Sequence, residues 1–171
     1  YRATDDLARE IVGRLRRFGF VLLGLAVIAI GVRAAPLPGP GGIPIIVVDP
    51  RFSVAASKAK YWLPIRPGTD LALLLAWCNV LVTEGRYDRA FVAQHGHGFD
   101  KFVAAIKDDT PEWAAQETGI DAAVIRTTAR ELANARPAAL VHPGRRVTWN
   151  GDDTQRSRAI ALLSALLGNW G

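Results

Sequence analysis

The sequence predicts an α/β fold with a mainly parallel sheet flanked by helices. Ile43 to Val48 is an apolar, β-branched run that ends at Asp49-Pro50, which is typical of a buried parallel strand. Two further runs, Tyr61 to Ile65 and Ala138 to His142, have the same apolar character and also end near turn residues. Helical patterns lie between the runs, and strands that alternate with helices favour a parallel sheet.

Helices are predicted between the strands and through the middle of the chain. Ser53 to Lys60 is a short helix candidate, and Leu71 to Thr83 is a strongly apolar helix that ends near Gly85. Two short amphipathic helices follow, over Tyr87 to Gln94 and Phe99 to Lys107. These helices are expected to pack against the faces of the sheet.

Capping signals set the boundaries of the later helices. The run Thr110-Pro111-Glu112 places a cap, a proline at the first helical position and an acid in the first turn, so a helix begins there and ends near Gly119. A final helix is predicted over Thr154 to Leu167. The most amphipathic helix is Asp121 to Asn134, whose apolar face holds Ala122, Ile125, Ala129 and Leu132.

The composition is that of one globular domain or a part of one. The chain has 171 residues, of which 50% are hydrophobic and 22% charged. Its single cysteine, Cys78, excludes an internal disulfide and any cysteine-ligated iron–sulfur cluster made by this chain alone, and its apolar helix predicts a buried thiol. The net charge of +5 suits an anionic partner, but the Lys and Arg residues form no single basic block, so no nucleic-acid partner is predicted.

Residues 1–42 differ from the rest of the chain, which divides it into an atypical N-terminal segment and an α/β part over 43–171. The segment contains an uncharged apolar run at 18–32 and a Pro/Gly linker at 35–42. As a helix the run reaches about 22 Å, short of the roughly 30 Å hydrocarbon core, and basic residues before it resemble a signal peptide. A membrane or export segment, a buried element and a frameshifted or mispredicted beginning all remain open.

Candidate binding residues follow the first two predicted strands, where ligands of open parallel sheets bind. Asp49-Pro50-Arg51 with Ser53 follows the first strand; the Asp49 carboxylate can accept from a ribose or a guanine edge and Arg51 can bind a phosphate. Arg66 to Asp70 follows the second strand, with Gly68, Thr69 and Asp70 at a helix N-terminus. An ordinary strand-ending turn and an ordinary helix cap are the alternatives. Neither GxGxxG nor a P-loop is present.

Other polar groups give weaker indications. Arg145 and Arg146 follow the third predicted strand, where adjacent positive charge suits an anionic substrate, a cofactor phosphate or simply solvent. His95 and His97 are two positions apart, but no third ligand has a recognisable spacing, so no metal site is predicted. No Ser-His-Asp order or carboxylate pair can be defended. The catalytic residues therefore stay unknown.

Two stretches make the sequence recognisable. The first stretch is Ile46-Val-Val-Asp-Pro-Arg-Phe-Ser-Val-Ala-Ala-Ser-Lys-Ala59, and the second is Trp62-Leu-Pro-Ile-Arg-Pro-Gly-Thr-Asp-Leu-Ala-Leu73. Both closely resemble the molybdopterin oxidoreductases of the dimethyl sulfoxide reductase superfamily. The resemblance covers about residues 43–171 and continues to Ala165-Leu-Leu-Gly-Asn-Trp-Gly171. The sequence around Pro143-Gly-Arg-Arg146 is most similar to that of the thiosulfate and polysulfide reductase branch.

The resemblance implies molybdenum bound by two molybdopterin guanine dinucleotides as the cofactor. In that family the segments that match Asp49-Pro50-Arg51 with Ser53, and Gly68-Thr69-Asp70, bind the guanine nucleotide end of one dinucleotide. Arg145 and Arg146 would lie toward the active-site funnel. The expected activity is that of an oxidoreductase that transfers electrons to a sulfur compound such as thiosulfate or polysulfide.

The family's iron–sulfur cysteine motif and its molybdenum-ligating residue have no match in this chain, so an internal fragment of a larger catalytic subunit is expected, and whether the chain alone is an enzyme stays open. The partners implied are the remainder of that subunit, an iron–sulfur electron-transfer subunit and a membrane anchor subunit, in a periplasmic, membrane-associated complex. The alternative is a non-catalytic nucleotide-binding remnant tethered to a membrane by residues 18–32.

Overall fold

The structure is a computed structural model that describes residues 43–144 and 153–169. The described residues from Ile45 onward belong to one compact unit. Helices pack against a small parallel sheet, so the predicted α/β class is confirmed, although helix dominates. The elements are β1 (Ile46–Val48), a 3₁₀ helix (Ala56–Lys58), β2 (Tyr61–Leu63), α1 (Asp70–Thr83), α2 (Arg89–His95), α3 (Phe99–Ala105), α4 (Pro111–Thr118), α5 (Ala122–Asn134) and α6 (Asp153–Leu166).

The two strands are parallel and pair without offset. Val48 of β1 lies opposite Leu63 of β2, and the amide of Asp49 donates to the Leu63 carbonyl at 3.2 Å. Leu63 is fully buried, and Val48 packs against the same hydrophobic core. Because the strands run in one direction, the turns that follow them start from the same edge of the sheet.

Helix α1 is the centre of the described core and packs against α4, α5 and α6. Its predicted apolar character is confirmed, since its buried residues lie on all sides of the helix, as expected for a helix enclosed by others. Two buried polar groups in the same helix have partners: the Trp77 indole donates to Thr128 Oγ1 at 3.0 Å and the Asn79 amide donates to the Ile106 carbonyl at 2.8 Å.

The helix boundaries predicted from capping residues are confirmed. The Thr110 hydroxyl accepts from the Trp113 amide at 3.2 Å, and Pro111 is the first residue of α4. That helix ends at Gly119, whose φ of 76° is the left-handed conformation that favours glycine. The Asp121 carboxylate caps α5 by accepting from the Ala123 amide at 2.7 Å.

The prediction of a buried strand over Ala138 to His142 is wrong. This segment is irregular, and within the described residues the sheet consists of β1 and β2 alone. Ala139 is buried and its carbonyl accepts from the Asn169 side chain, whereas Leu140 is 83% exposed. An apolar run becomes a strand only where a neighbouring strand pairs with its backbone, and no strand of residues 43–144 or 153–169 does so.

Several other predicted elements are shorter than expected; the second strand, for example, ends at Leu63 and not at Ile65. In the first run only Ile46–Val48 form a strand, because these are the residues that pair with β2. The helix predicted over Ser53 to Lys60 is reduced to one 3₁₀ turn at Ala56–Lys58.

The atypical segment 1–42, including the apolar run 18–32 and the linker 35–42, lies outside the described residues. Among the helices that are described, none is both long and apolar enough to cross a membrane.

Candidate functional site

The turn after β1 is held together by its own polar groups. The Asp49 carboxylate accepts from the Arg51 amide at 2.9 Å, which is the Asx turn typical of an aspartate at the end of a strand. The Ser53 amide donates to the Arg51 carbonyl at 2.8 Å, and the Ser53 hydroxyl accepts from the Ala56 amide at 3.3 Å. Pro50 and the Arg51 side chain are exposed, while Asp49 is half-buried. The backbone of the turn is therefore held in one conformation, and the Arg51 guanidinium lies on its exposed surface.

Trp62 of β2 fixes this turn from the neighbouring strand, a contact that the sequence did not predict. Its indole nitrogen donates to the Asp49 carbonyl at 2.9 Å. The Phe52 ring packs edge-on against the Trp62 ring, with centroids 4.9 Å apart. Phe52 remains 64% exposed and Trp62 36% exposed, so an aromatic surface borders the Asp49 turn. An aromatic residue in a short strand gives no sequence signal that it binds a distant turn.

The turn after β2 presents a carboxylate at the start of a helix. Gly68 has a φ of 85°, which favours glycine, and no atom lies within 4 Å of where a Cβ would stand. Thr69 occupies the N-cap position of α1, but its hydroxyl donates to the Arg66 carbonyl at 2.7 Å and does not cap the helix. Asp70 is the first residue of α1. The turn thus leaves the first amide groups of α1 without a side-chain cap.

Arg66 attaches this second turn to the end of α4. Its guanidinium donates to the carbonyls of Gln116 at 2.8 Å and Glu117 at 3.0 Å, and its amide donates to the Thr118 carbonyl at 2.9 Å. These carbonyls belong to the last turn of α4, where backbone acceptors lack helical partners. The position of the Gly68-Thr69-Asp70 backbone is therefore set by the core helices.

Together, the two turns lie at one edge of the sheet, as the sequence predicts. Asp49 directly follows β1, and Asp70 follows β2 after the Arg66 turn. Since β1 and β2 are parallel neighbours in register, their carboxyl ends are adjacent.

Arg156 of α6 is a residue of this edge that the sequence analysis missed. Its Nε lies 3.9 Å from Oδ2 of Asp70, and its side chain is 3% exposed whereas that of Asp70 is 39% exposed. A signal was present in the sequence: Arg156 shares a helical face with Ala159 and Leu163, both buried. A charged residue on an apolar helix face indicates a specific partner.

The remaining candidate residues lie either away from this edge or outside the described residues. Arg145 and Arg146 lie outside the described residues. His95 and His97 are exposed, and no group of three or more metal-ligating side chains occurs in residues 43–144 and 153–169. Cys78 is fully buried in α1, as predicted, and burial raises the pKa of its thiol to about 12.

The arrangement at the sheet edge has the chemistry of a polar-ligand site. Two carboxylates, those of Asp49 and Asp70, can accept hydrogen bonds from N–H or O–H groups. The exposed guanidinium of Arg51 and the N-terminus of α1 favour negatively charged groups. A ligand with N–H donors at one end and phosphates at the other fits this donor set.

The chain belongs to the molybdopterin oxidoreductase family, whose family model matches residues 30–171. This confirms the resemblance seen in the sequence, and the match begins inside the segment 1–42. The family implies a molybdenum–molybdopterin cofactor.

Three relatives illustrate the range of the family. The chain is 44% identical over 128 residues to the molybdopterin-containing subunit PhsA of thiosulfate reductase from Salmonella typhimurium, covering 75% of this chain and 17% of that protein. It is 37% identical over 149 residues to the arsenate respiratory reductase subunit ArrA of Chrysiogenes arsenatis, covering 72% and 17%. The solved structure of acetylene hydratase from Pelobacter acetylenicus matches with a TM-score of 0.73 and 33% identity, covering 75% and 18%. The chain thus spans less than a fifth of each relative's length.

Proposed function

We propose that this chain is the part of a molybdenum-dependent oxidoreductase catalytic subunit that binds the guanine nucleotide end of molybdopterin guanine dinucleotide. The observation that carries the proposal is the position of the Asp49 and Asp70 turns, which follow two adjacent parallel strands in the direction of their carboxyl ends. When bound, the cofactor supplies the electron-transfer chemistry, and the protein supplies binding and orientation.

In this proposal the Asp70 carboxylate binds the guanine base by hydrogen bonds. A guanine presents two donors side by side, its ring N–H and its exocyclic amine, and one carboxylate can accept from both. Adenine has no such pair, so the contact selects guanine. The 39% exposed side chain of Asp70 leaves room for this approach, and the backbone of Gly68 is open on its Cα side.

The first turn and its neighbour hold the rest of the nucleotide. The half-buried Asp49 retains lone pairs for a ribose hydroxyl beyond its bond to the Arg51 amide. The Arg51 guanidinium is free of the turn's internal hydrogen bonds and suits a phosphate. Pro50, Ser53 and Thr69 fix the two backbones, through the proline ring and the hydroxyl bonds already described.

We propose a sulfur compound such as thiosulfate or polysulfide as the substrate of the whole enzyme. The support is the 44% identity to a thiosulfate reductase subunit. By the same relation we propose that Arg145 and Arg146 contact an anionic substrate or the cofactor. PhsA is itself named as a subunit, and the partners we propose are the remainder of the catalytic subunit, an iron–sulfur electron-transfer subunit and a membrane anchor subunit.

The experiment places residues 43–171 of this chain at the matching position of an intact catalytic subunit of the family, and measures molybdenum and guanine nucleotide per purified protein. Asp70→Ala is expected to lower both strongly, because the two donors of the base lose their charged acceptor, and hydrogen bonds to a charged group contribute about 1.5–3 kcal/mol. Asp70→Asn is expected to lower both nearly as much, since an amide cannot accept at two positions. Lys58→Ala, in the exposed 3₁₀ turn, is the control and leaves both unchanged.

Normal occupancy in Asp70→Ala would show that Arg66 to Asp70 is only a structural turn, and the nucleotide assignment would be wrong. If the unsubstituted segment supports no cofactor incorporation at all, the alternative of a non-catalytic remnant replaces the proposal.

A further inference from the structure

We propose that Arg156 is a positioning residue for Asp70, whose carboxylate it holds from the buried side so that the exposed side faces the nucleotide. The inference rests on the proposed function of the Asp70 turn and adds a residue from α6 to it. Arg156 lies in the predicted final helix and belongs to none of the candidate binding motifs.

The first support is the asymmetry of the pair. The Arg156 side chain is 3% exposed and that of Asp70 is 39% exposed, with Nε of the arginine 3.9 Å from Oδ2 of the aspartate. This separation is longer than a direct hydrogen bond, so the attraction is between charges. Since one partner is buried, solvent ions screen the attraction less than they would a surface pair. One side of the carboxylate therefore faces a fixed cation while the other is open.

The second support is that packing fixes the direction of the arginine. Arg156 is one helical turn before Ala159 and two turns before Leu163, and both residues are buried against the core. Helix α6 packs directly on α1, the helix that begins with Asp70. The guanidinium is thus brought to the N-terminus of α1 by helix packing, and it cannot turn outward without exposing its buried stem.

The third support is the precise orientation that a two-point contact between the Asp70 carboxylate and the base requires. A carboxylate that accepts from two donors of a base tolerates little rotation about its side-chain bonds. Asp70 is at the first position of α1, where its side chain has solvent on one side. The positive end of α1 also attracts the carboxylate, but along the helix axis. Arg156 adds a second attraction, from the neighbouring helix α6, that favours one orientation of the carboxylate.

The test uses the same intact subunit carrying residues 43–171 and measures guanine nucleotide per protein. We expect Arg156→Met, which keeps the length of the stem without the charge, to lower occupancy at least threefold. We expect Arg156→Lys to restore part of it, because a cation returns without the planar guanidinium. Arg158→Met is the matched control: Arg158 is on the same helix, is exposed and hydrogen-bonds to Gln155, so occupancy stays unchanged.

A double variant separates positioning from general stabilisation. If Arg156 acts through Asp70, then Asp70→Asn combined with Arg156→Met loses no more nucleotide than Asp70→Asn alone. Additive losses would show that Arg156 acts elsewhere and would overturn the inference. If Arg156→Met does not fold, Arg156→Lys decides: occupancy between those of wild type and Asp70→Asn supports the inference, and wild-type occupancy overturns it.

The two proposals fail in different ways. Full occupancy in Asp70→Asn would remove the nucleotide assignment of the turn. Loss of occupancy in Asp70→Asn together with full occupancy in Arg156→Met would leave that assignment in place and remove only the positioning role of Arg156.

Discussion

At the scale of single residues, the core of this domain contains buried polar side chains that form hydrogen bonds to other elements. Thr128 is fully buried in α5, accepts from the Trp77 indole and donates to the Val124 carbonyl of its own helix. The Asn79 side chain donates to the Ile106 carbonyl, directly after α3. Each such pair joins α1 to a different part of the chain, which fixes how the helices pack.

We expect Thr128→Val to destabilise the fold by about 1–3 kcal/mol, because valine keeps the shape but leaves the Trp77 N–H buried without an acceptor. Urea unfolding followed by tryptophan fluorescence measures the change. Thr127→Val is the control, since Thr127 is exposed and its hydroxyl makes the same kind of bond to a carbonyl four residues earlier. Equal losses in the two variants would contradict the assignment.

At the scale of elements, α1 connects the candidate site to the rest of the core. Its N-terminus holds Asp70, and its C-terminal end is joined to α5 by an ion pair in which Nη2 of Arg130 lies 2.7 Å from Oε1 of Glu84. The guanidinium of Arg130 lowers the pKa of the Glu84 carboxyl below its ordinary value of 4.5, with a smaller contribution from Arg86.

The lowered pKa of Glu84 predicts how stability changes with pH. A carboxyl whose pKa is lower in the folded state stabilises the fold above its unfolded pKa, and the stabilisation is lost as the pH falls through the folded pKa. We therefore expect Arg130→Ala to lower the melting temperature slightly at pH 7, with a difference that shrinks below about pH 4.5. Lys101→Ala, an exposed lysine of α3, is the control and should show no such trend. A constant difference across the pH range would rule out this ion pair as the cause.

At the scale of the whole molecule, the described residues from Ile45 onward form one compact unit, and the chain spans less than a fifth of its relatives' length. The core of this unit is made by α1 and the helices around it, with Leu63 and Ile65 from the β2 region. The division of the chain at residue 42 stays a prediction.

Deletion of residues 1–42 is expected to leave the fold of 43–171 intact, with unchanged or improved solubility, because the deletion removes an apolar run and exposed apolar surface promotes association. Thermal unfolding and light scattering measure the two effects. A deletion of residues 1–48, which also removes β1, is the comparison and should lower the melting temperature. Loss of cooperative unfolding in the shorter deletion would show that the segment is part of the core.

The sequence by itself determined the elements whose signals are local. The cap at Thr110 with Pro111, the glycine at 119 and the cap at Asp121 each act on amides or carbonyls within a few residues, and the structure has all of them. The two site turns were also predictable, because Pro, Gly and Asp have strong conformational preferences of their own. The family resemblance rested on the same local residues.

Only the tertiary structure decided which distant groups meet. The apolar pattern of Ala138 to His142 predicts a strand, yet no strand lies beside it among the described residues. Trp62 supports the Asp49 turn, and Arg156 approaches Asp70 from a helix far along the chain. Strand pairing and buried ion pairs depend on partners brought together by packing, and no pattern within a few residues encodes that packing.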